Sequence, residues 1–139
     1  MQTEQHFDRF IEYSLQKWEA GMEIPLVILQ NDIIVGRVGI YHIDPFNKIG
    51  AIGYWLGKQF SGKGIITKAC AALVDYAFNE KSFNRLEIKC GTENIKSKVV
   101  AEKLLFTFKG TIRQDEIVNG KYIDLLLYSM LYKEWYERK

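Results

Sequence analysis

The sequence has few of the residues that bind metal ions or form disulfides. Its 139 residues include only two cysteines, Cys70 and Cys90, and only two histidines, His6 and His42. Two cysteines cannot build a disulfide framework, and no His/Cys spacing in the chain matches a zinc site. We therefore expect two reduced core thiols and no metal cofactor.

An excess of charge of one sign and a long hydrophobic run are also absent. Nineteen basic and seventeen acidic residues leave a net charge of +2, which is too small to indicate a nucleic-acid partner. The longest apolar runs, such as Leu125-Leu126-Leu127, fall far short of the roughly 20 residues that a membrane span needs. The first residues after Met1, Gln2-Thr3-Glu4-Gln5, do not make a signal peptide. We expect a cytoplasmic protein without nucleic-acid or membrane partners.

The residues present predict one α/β domain over 1–139, since 47% are apolar, 26% are charged, and no repeat or linker interrupts the chain. Helical spacing of apolar residues predicts helices over Gln5–Ala20, from Ile66 to Ala77 and over Asn94–Leu104, the last capped by Thr92 or Asn94. Apolar and β-branched runs predict strands over Ile24–Leu29, Ile33–Ile43, Ile49–Leu56, Leu86–Cys90, Phe106–Arg113 and Tyr122–Leu131.

The order of these elements predicts the architecture. Three antiparallel strands follow the first helix, and Asn119-Gly120 predicts a tight hairpin between the last two strands, because a type I′ turn needs positive φ. We therefore predict a mixed, mostly antiparallel twisted sheet with helices on its faces.

A glycine-rich turn, Gln59-Phe60-Ser61-Gly62-Lys63-Gly64, connects the third strand to a helix. Such a turn points free backbone N–H groups at an anion, and its glycines allow a phosphate to approach closely. Lys63 or Lys68 would add positive charge. A turn of this kind is equally typical of a purely structural connection. The P-loop and dinucleotide motifs are absent, and three antiparallel strands precede the turn.

In this setting the chain resembles the GNAT family of N-acetyltransferases, whose signature Gln/Arg-x-x-Gly-x-Gly/Ala is met by Gln59, Gly62 and Gly64. The chain is also similar to the RimJ/RimL branch, the ribosomal-protein N-terminal acetyltransferases. That similarity is carried by Ile52-Gly53-Tyr54-Trp55-Leu56, Asn84-Arg85-Leu86-Glu87-Ile88, Thr92-Glu93-Asn94-x-x-Ser97 and Asn119-Gly120-x-Tyr122-x-Asp124.

The resemblance implies the GNAT fold and transfer of acetyl from acetyl-CoA to a primary amine, such as a ribosomal protein N-terminus. In this family the strand before the turn splays from the strand after the next helix, and the pantetheine lies in the resulting V. The resemblance assigns pantetheine contacts to Asn94 and to the backbone of Tyr54, Trp55 and Leu56. It assigns the pyrophosphate to the turn of Gln59, Phe60, Ser61, Gly62, Lys63, Gly64 and Ile65.

The resemblance also implies catalytic roles. It places Ser97 near the thioester sulfur, where a hydroxyl could protonate the departing thiolate; Tyr128 and Tyr132 are the alternatives. Glu116 is the candidate base, because relatives carry an acidic residue on this hairpin arm; Asp115 and Asp124 are its alternatives. Structural explanations stay open for each residue: a helix cap for Asn94, a small helical residue for Ser97 and solvated charges for the carboxylates.

Two departures from the family pattern bear on function. Relatives carry a longer N-terminal segment, which forms a first strand and helix, so this chain resembles an N-terminally shortened member. A missing edge strand would expose the next one, and a homo-oligomer is one way to cover it. Leu105 stands where relatives have a C-capping glycine. A catalytically impaired CoA-binding fragment, a small-amine acetyltransferase and an unrelated nucleotide-binding protein therefore remain alternatives.

Overall fold

The computed structural model describes residues 23–138, so the helix predicted over Gln5–Ala20 lies outside the described residues. The described part contains a six-stranded sheet and three α-helices. The elements in chain order are β1 (Ile24–Gln30), β2 (Ile33–Asp44), β3 (Ile49–Leu56), α1 (Ile65–Glu80), β4 (Arg85–Gly91), α2 (Ile95–Lys103), β5 (Thr107–Val118), β6 (Lys121–Leu131) and α3 (Tyr132–Glu137).

The strands lie in the order β1-β2-β3-β4-β6-β5. Only β3 and β4 are parallel neighbours, and α1 makes the crossover between them, because parallel strands need a long connection. Every other neighbouring pair is antiparallel. This arrangement confirms the predicted mixed, mostly antiparallel fold.

The core forms where α1 packs on β2 and β3. The buried residues of α1 recur at helical spacing and include Ala69, Cys70, Leu73 and Ala77, as the sequence predicts. Leu86, Ile88 and Cys90 alternate along β4 and are also buried. Both cysteines are therefore free core thiols, and burial raises the pKa of each, that of Cys70 to about 12.

Helix α3 is not predicted by the sequence. It has only six residues and begins directly after β6, so it is too short to show a helical periodicity of apolar residues. Its ring cluster holds it in place: the Trp135 ring lies 5.3 Å from that of Phe78, and Trp135 Nε1 donates to Asp75 Oδ1 at 2.8 Å. Tertiary packing therefore forms this helix.

Helix α2 ends in the left-handed geometry that the family resemblance implies. Leu105 has φ +64°, its N–H donates to the Glu102 carbonyl at 3.0 Å, and the Phe106 N–H donates to the Ala101 carbonyl at 3.1 Å. A side chain in this conformation is sterically strained, and glycine is not. Leu105 is also 57% exposed, so its side chain contributes little buried area in return.

We therefore expect Leu105→Gly to raise the free energy of unfolding by roughly 0.5–1 kcal/mol, because relief of strain exceeds the added freedom of the unfolded glycine. Urea denaturation followed by tryptophan fluorescence measures the change. Leu105→Ala is the matched control, because it removes the side chain but keeps the Cβ. Equal stabilisation by the two variants would show that the backbone conformation is not the cause.

Candidate functional site

Strands β3 and β4 diverge towards their carboxyl ends. They pair from Ile49 opposite Arg85 to Ile52 opposite Ile88, and the ladder stops there. Beyond this point β3 continues to Leu56 and β4 to Gly91, and within residues 23–138 neither segment has a strand partner on the side that faces the other. The splay expected from the resemblance is therefore present, with free backbone N–H and C=O groups on both of its arms.

A cleft of about 710 Å³ lies at this splay. It is bounded by the five strands β2 to β6 and by the start of α2, which follows β4 at the same end of the sheet. Its lining residues are Tyr41, His42, Ile49, Gly50, Ala51, Ile52, Gly53, Tyr54, Glu87, Lys89, Cys90, Gly91, Asn94, Ser97, Asp115, Glu116 and Leu125. The cleft is large enough for the arm of an extended small-molecule ligand.

The glycine-rich turn lies beyond the carboxyl end of β3 and leads into α1. Gly62 and Gly64 have φ values of +79° and +75°, and no atom lies within 4 Å of the position that a Cβ would take at either residue. The first amides of α1 have no acceptor within the helix. Open space, free N–H groups and the positive end of a 16-residue helix together form a site that an anion fits.

The other turn residues have different surroundings. Gln59 and Lys63 are exposed, Phe60 is half-buried against Gly57, and Ile65 is buried in the core. The Ser61 hydroxyl donates to the Lys58 carbonyl at 2.8 Å, so it closes the short 3₁₀ turn. Ser61 and Phe60 therefore shape the turn, and its exposed glycine backbone is the part open to a ligand.

Tyr54 connects β3 to the start of α2. Its hydroxyl donates to the Ser97 carbonyl at 3.4 Å, a contact from β3 to α2 across the end of the cleft. Burial raises the pKa of Tyr54 to about 12. Trp55 is exposed and Leu56 is half-buried. The side chain of Tyr54 thus has a structural role, whereas the resemblance assigns its backbone to ligand binding.

Asn94 and Ser97 meet at the start of α2. Asn94 Oδ1 accepts the Ser97 N–H at 3.2 Å, which makes Asn94, and not Thr92, the cap of the helix. Both residues line the cleft. Within residues 23–138 no protein atom is hydrogen-bonded to the Ser97 hydroxyl, so it is available to a group in the cleft.

The alternative acids lie elsewhere. Tyr128 is buried, its ring 5.4 Å from that of Phe108, and it lines a separate groove with Phe106. Tyr132 packs on Phe78 at the start of α3. Neither tyrosine lines the cleft at the splay.

Two of the three candidate carboxylates lie in the cleft and one lies outside it. Asp115 and Glu116 line the cleft, and Asp115 Oδ2 is 3.4 Å from Lys89 Nζ. Glu116 has no ion pair with any residue in the described part of the chain. Asp124 is outside the cleft lining, and its Oδ1 accepts the Gln114 N–H at 2.8 Å. Glu116 is therefore the carboxylate that is both in the cleft and unpaired.

Sequence reasoning missed four polar residues of the cleft: Tyr41, His42, Glu87 and Lys89. Two of them had a signal. In β4 the buried Leu86, Ile88 and Cys90 alternate with charged residues, and charge on one face of a central strand indicates an open face. Of the other two, Tyr41 pairs in regular register with Ala51, and His42 lies in a bulge of β2, with φ +51°, that no sequence pattern marks.

Among residues 23–138, no three His, Cys, Asp or Glu side chains are grouped to hold a metal ion. None of the helices in this range combines the length and apolarity that crossing a membrane requires.

Comparison with known proteins adds independent findings. The family model described as an acetyltransferase (GNAT) domain matches residues 1–107. YdaF of Bacillus subtilis (strain 168) is 41% identical over 108 residues, covering 78% of this chain and 59% of YdaF. The ribosomal-protein-serine acetyltransferase of Escherichia coli (strain K12) is 30% identical over 131 residues, covering 94% of this chain and 73% of the relative.

A solved structure agrees with these matches. The ribosomal alpha-N-protein acetyltransferase RimL in complex with coenzyme A superimposes with a TM-score of 0.78 at 28% identity, over 94% of this chain and 71% of RimL. The chain thus spans about three fifths to three quarters of the length of these proteins.

Proposed function

The chain belongs to the GNAT family of acetyltransferases, and on this premise we propose that it transfers acetyl from acetyl-CoA to a primary amine. The acceptor we propose is a protein N-terminal α-amine of the ribosomal type. The observation that carries the proposal is the splay of β3 from β4, which opens a cleft at the start of α2, while the glycine-rich turn follows the carboxyl end of β3.

The donor fits the two parts of the site. The pantetheine arm has amide groups that can pair with the free backbone of β3 beyond Ile52, as an added strand would. The pyrophosphate needs N–H donors and close backbone approach, and the turn at Gly62 and Gly64 offers both. RimL, the solved relative, is in complex with coenzyme A.

The chemistry needs one group on each side of the thioester. The neutral amine attacks the carbonyl carbon, the C–N bond forms, and the C–S bond breaks to release the thiolate. We assign Glu116 to take the amine proton, directly or through water, because it is the unpaired carboxylate of the cleft. We assign Ser97 to protonate the leaving sulfur, because its hydroxyl is free and lies beside Asn94.

The acceptor assignment rests on charge and on relatives. Three carboxylates lie on the cleft wall. Glu87 pairs with Arg85 at 3.2 Å and Asp115 with Lys89 at 3.4 Å, so Glu116 is the unpaired negative charge that favours a cationic amine. Two relatives carry names that refer to ribosomal proteins. A ribosomal acceptor would place the reaction in the cytoplasm.

Calorimetric titration with acetyl-CoA, followed by thiol release with a peptide panel, tests the proposal. We expect saturable binding, no competition by ATP, and thiol release with peptides that have free N-termini. The same peptides with blocked N-termini are the matched control. Binding without turnover on any amine would support a non-catalytic CoA-binding protein instead, and competition by ATP would support a nucleotide-binding protein.

A further inference from the structure

Strand β5 carries an irregular bulge opposite Asp124. Ile112 pairs with Leu125 and Glu116 pairs with Ile123, so the three residues 113–115 stand opposite Asp124 alone. A regular antiparallel ladder would place one residue there. The bulge therefore moves two extra residues of β5 past this point. Strand β5 continues beyond the predicted Arg113 to Val118, which pairs with Lys121 next to the hairpin turn.

The bulge decides which side chain faces the cleft. In a regular ladder continued from Ile112, Gln114 would stand opposite Ile123, and Glu116 would lie further along, opposite Lys121. With the bulge, Glu116 takes the position opposite Ile123, and both it and Asp115 line the cleft. The carboxylates therefore depend on the bulge for their position.

Asp124 holds this conformation. Gln114 has φ +51°, which is strained for a residue with a Cβ and persists only where the surroundings enforce it. Asp124 Oδ1 accepts the Gln114 N–H at 2.8 Å, a group that the interrupted ladder leaves without a strand partner. The Asp124 carbonyl also accepts the Thr92 N–H at 3.3 Å, which joins the bulge to the loop before Asn94.

We propose that Asp124 is a positioning residue that clamps the Gln114 bulge and so holds Glu116 at the acceptor side of the cleft. The inference rests on the proposed acetyltransferase function. The proposal gives a role to Asp124, the last residue of the Asn119-Gly120-x-Tyr122-x-Asp124 motif, although Asp124 lies outside the cleft and touches no reacting group. The donor side does not depend on the clamp, since the turn at Gly62 and Gly64 belongs to another part of the sheet.

The test compares Asp124→Ala, which removes the acceptor oxygen, with Asp124→Asn, which keeps an oxygen at the same place. The hydrogen-exchange rate of the Gln114 amide measures the hydrogen bond to Asp124 directly and does not depend on catalysis. We expect Asp124→Ala to speed that exchange about tenfold, because a hydrogen bond to a charged acceptor is lost, and Asp124→Asn to change it little. The kcat/KM for the acceptor should fall about tenfold in Asp124→Ala and stay within about threefold in Asp124→Asn, while the Kd for acetyl-CoA stays within about twofold in both.

Unchanged exchange at Gln114 in Asp124→Ala would overturn the clamp. Faster exchange with an unaltered acceptor kcat/KM, or an equal loss of acetyl-CoA affinity, would overturn the positioning role. Should Asp124→Ala not fold, the double variant Asp124→Ala/Gln114→Gly relieves the strained φ and should fold, with an acceptor kcat/KM that remains below that of Asp124→Asn. A wild-type chain without turnover would refute the proposed function, and the exchange measurement would still decide the clamp.

Discussion

Gly62→Glu should weaken acetyl-CoA binding by roughly 100-fold or more. The new carboxylate would stand where the pyrophosphate approaches the backbone, and two like charges about 4 Å apart near a protein surface repel by about 4 kcal/mol before salt screening. Because no atom beyond the neighbouring residues lies within 4 Å of the Cβ position, the side chain enters open space and does not disrupt the core. Calorimetric titration with acetyl-CoA measures the loss.

Gly120→Glu is the matched control for this variant. Gly120 has φ +78°, close to the +79° of Gly62, and its Cβ position is equally open, but it lies in the β5–β6 hairpin. Both substitutions add the same charge and the same backbone strain of about 1 kcal/mol. We expect Gly120→Glu to bind acetyl-CoA normally. Similar affinity in the two variants would show that the turn does not hold the pyrophosphate.

The features that sequence predicts well are those decided by neighbouring residues. The strand Ile49–Leu56 matches its prediction residue for residue, because a β-branched and aromatic run ends at Gly57 and the turn. The helix cap is likewise local, since Asn94, one of the two predicted caps, binds a backbone group within one helical turn. The proposed donor side of the site follows from such local signals.

The acceptor half could be predicted only in part, because it depends on contacts between distant segments. Asp115, Glu116 and Asp124 look alike in sequence, and strand alternation separates them only when the register is known. The strained Gln114 changes that register, and the hydrogen bond from Asp124 that stabilises it comes from the neighbouring strand. The Tyr54–Ser97 contact similarly joins residues 43 positions apart, so no local sequence pattern predicts it.

Ser97→Ala should lower kcat by about 100-fold and leave the Kd for acetyl-CoA within about twofold. A positioned general acid contributes about 10²–10⁴-fold to a rate, and alanine cannot protonate the departing thiolate. The fold should tolerate the change: the cap uses the Ser97 N–H and the tyrosine contact uses its carbonyl, and both groups remain. Alanine is also the better helix former. Single-turnover measurement of thiol release separates this chemical step from product release.

Two further variants separate the hydroxyl from its surroundings. Ser97→Thr keeps a hydroxyl at the same position and should retain most of the turnover. If position 97 required only a small side chain, the larger threonine would instead lower turnover. Tyr54→Phe removes the contact to the Ser97 carbonyl and leaves the Ser97 hydroxyl in place, so its effect on kcat should be well below that of Ser97→Ala. If Tyr54→Phe proves the more damaging and Ser97→Ala is nearly silent, the proton donor is the tyrosine and the assignment to Ser97 is wrong.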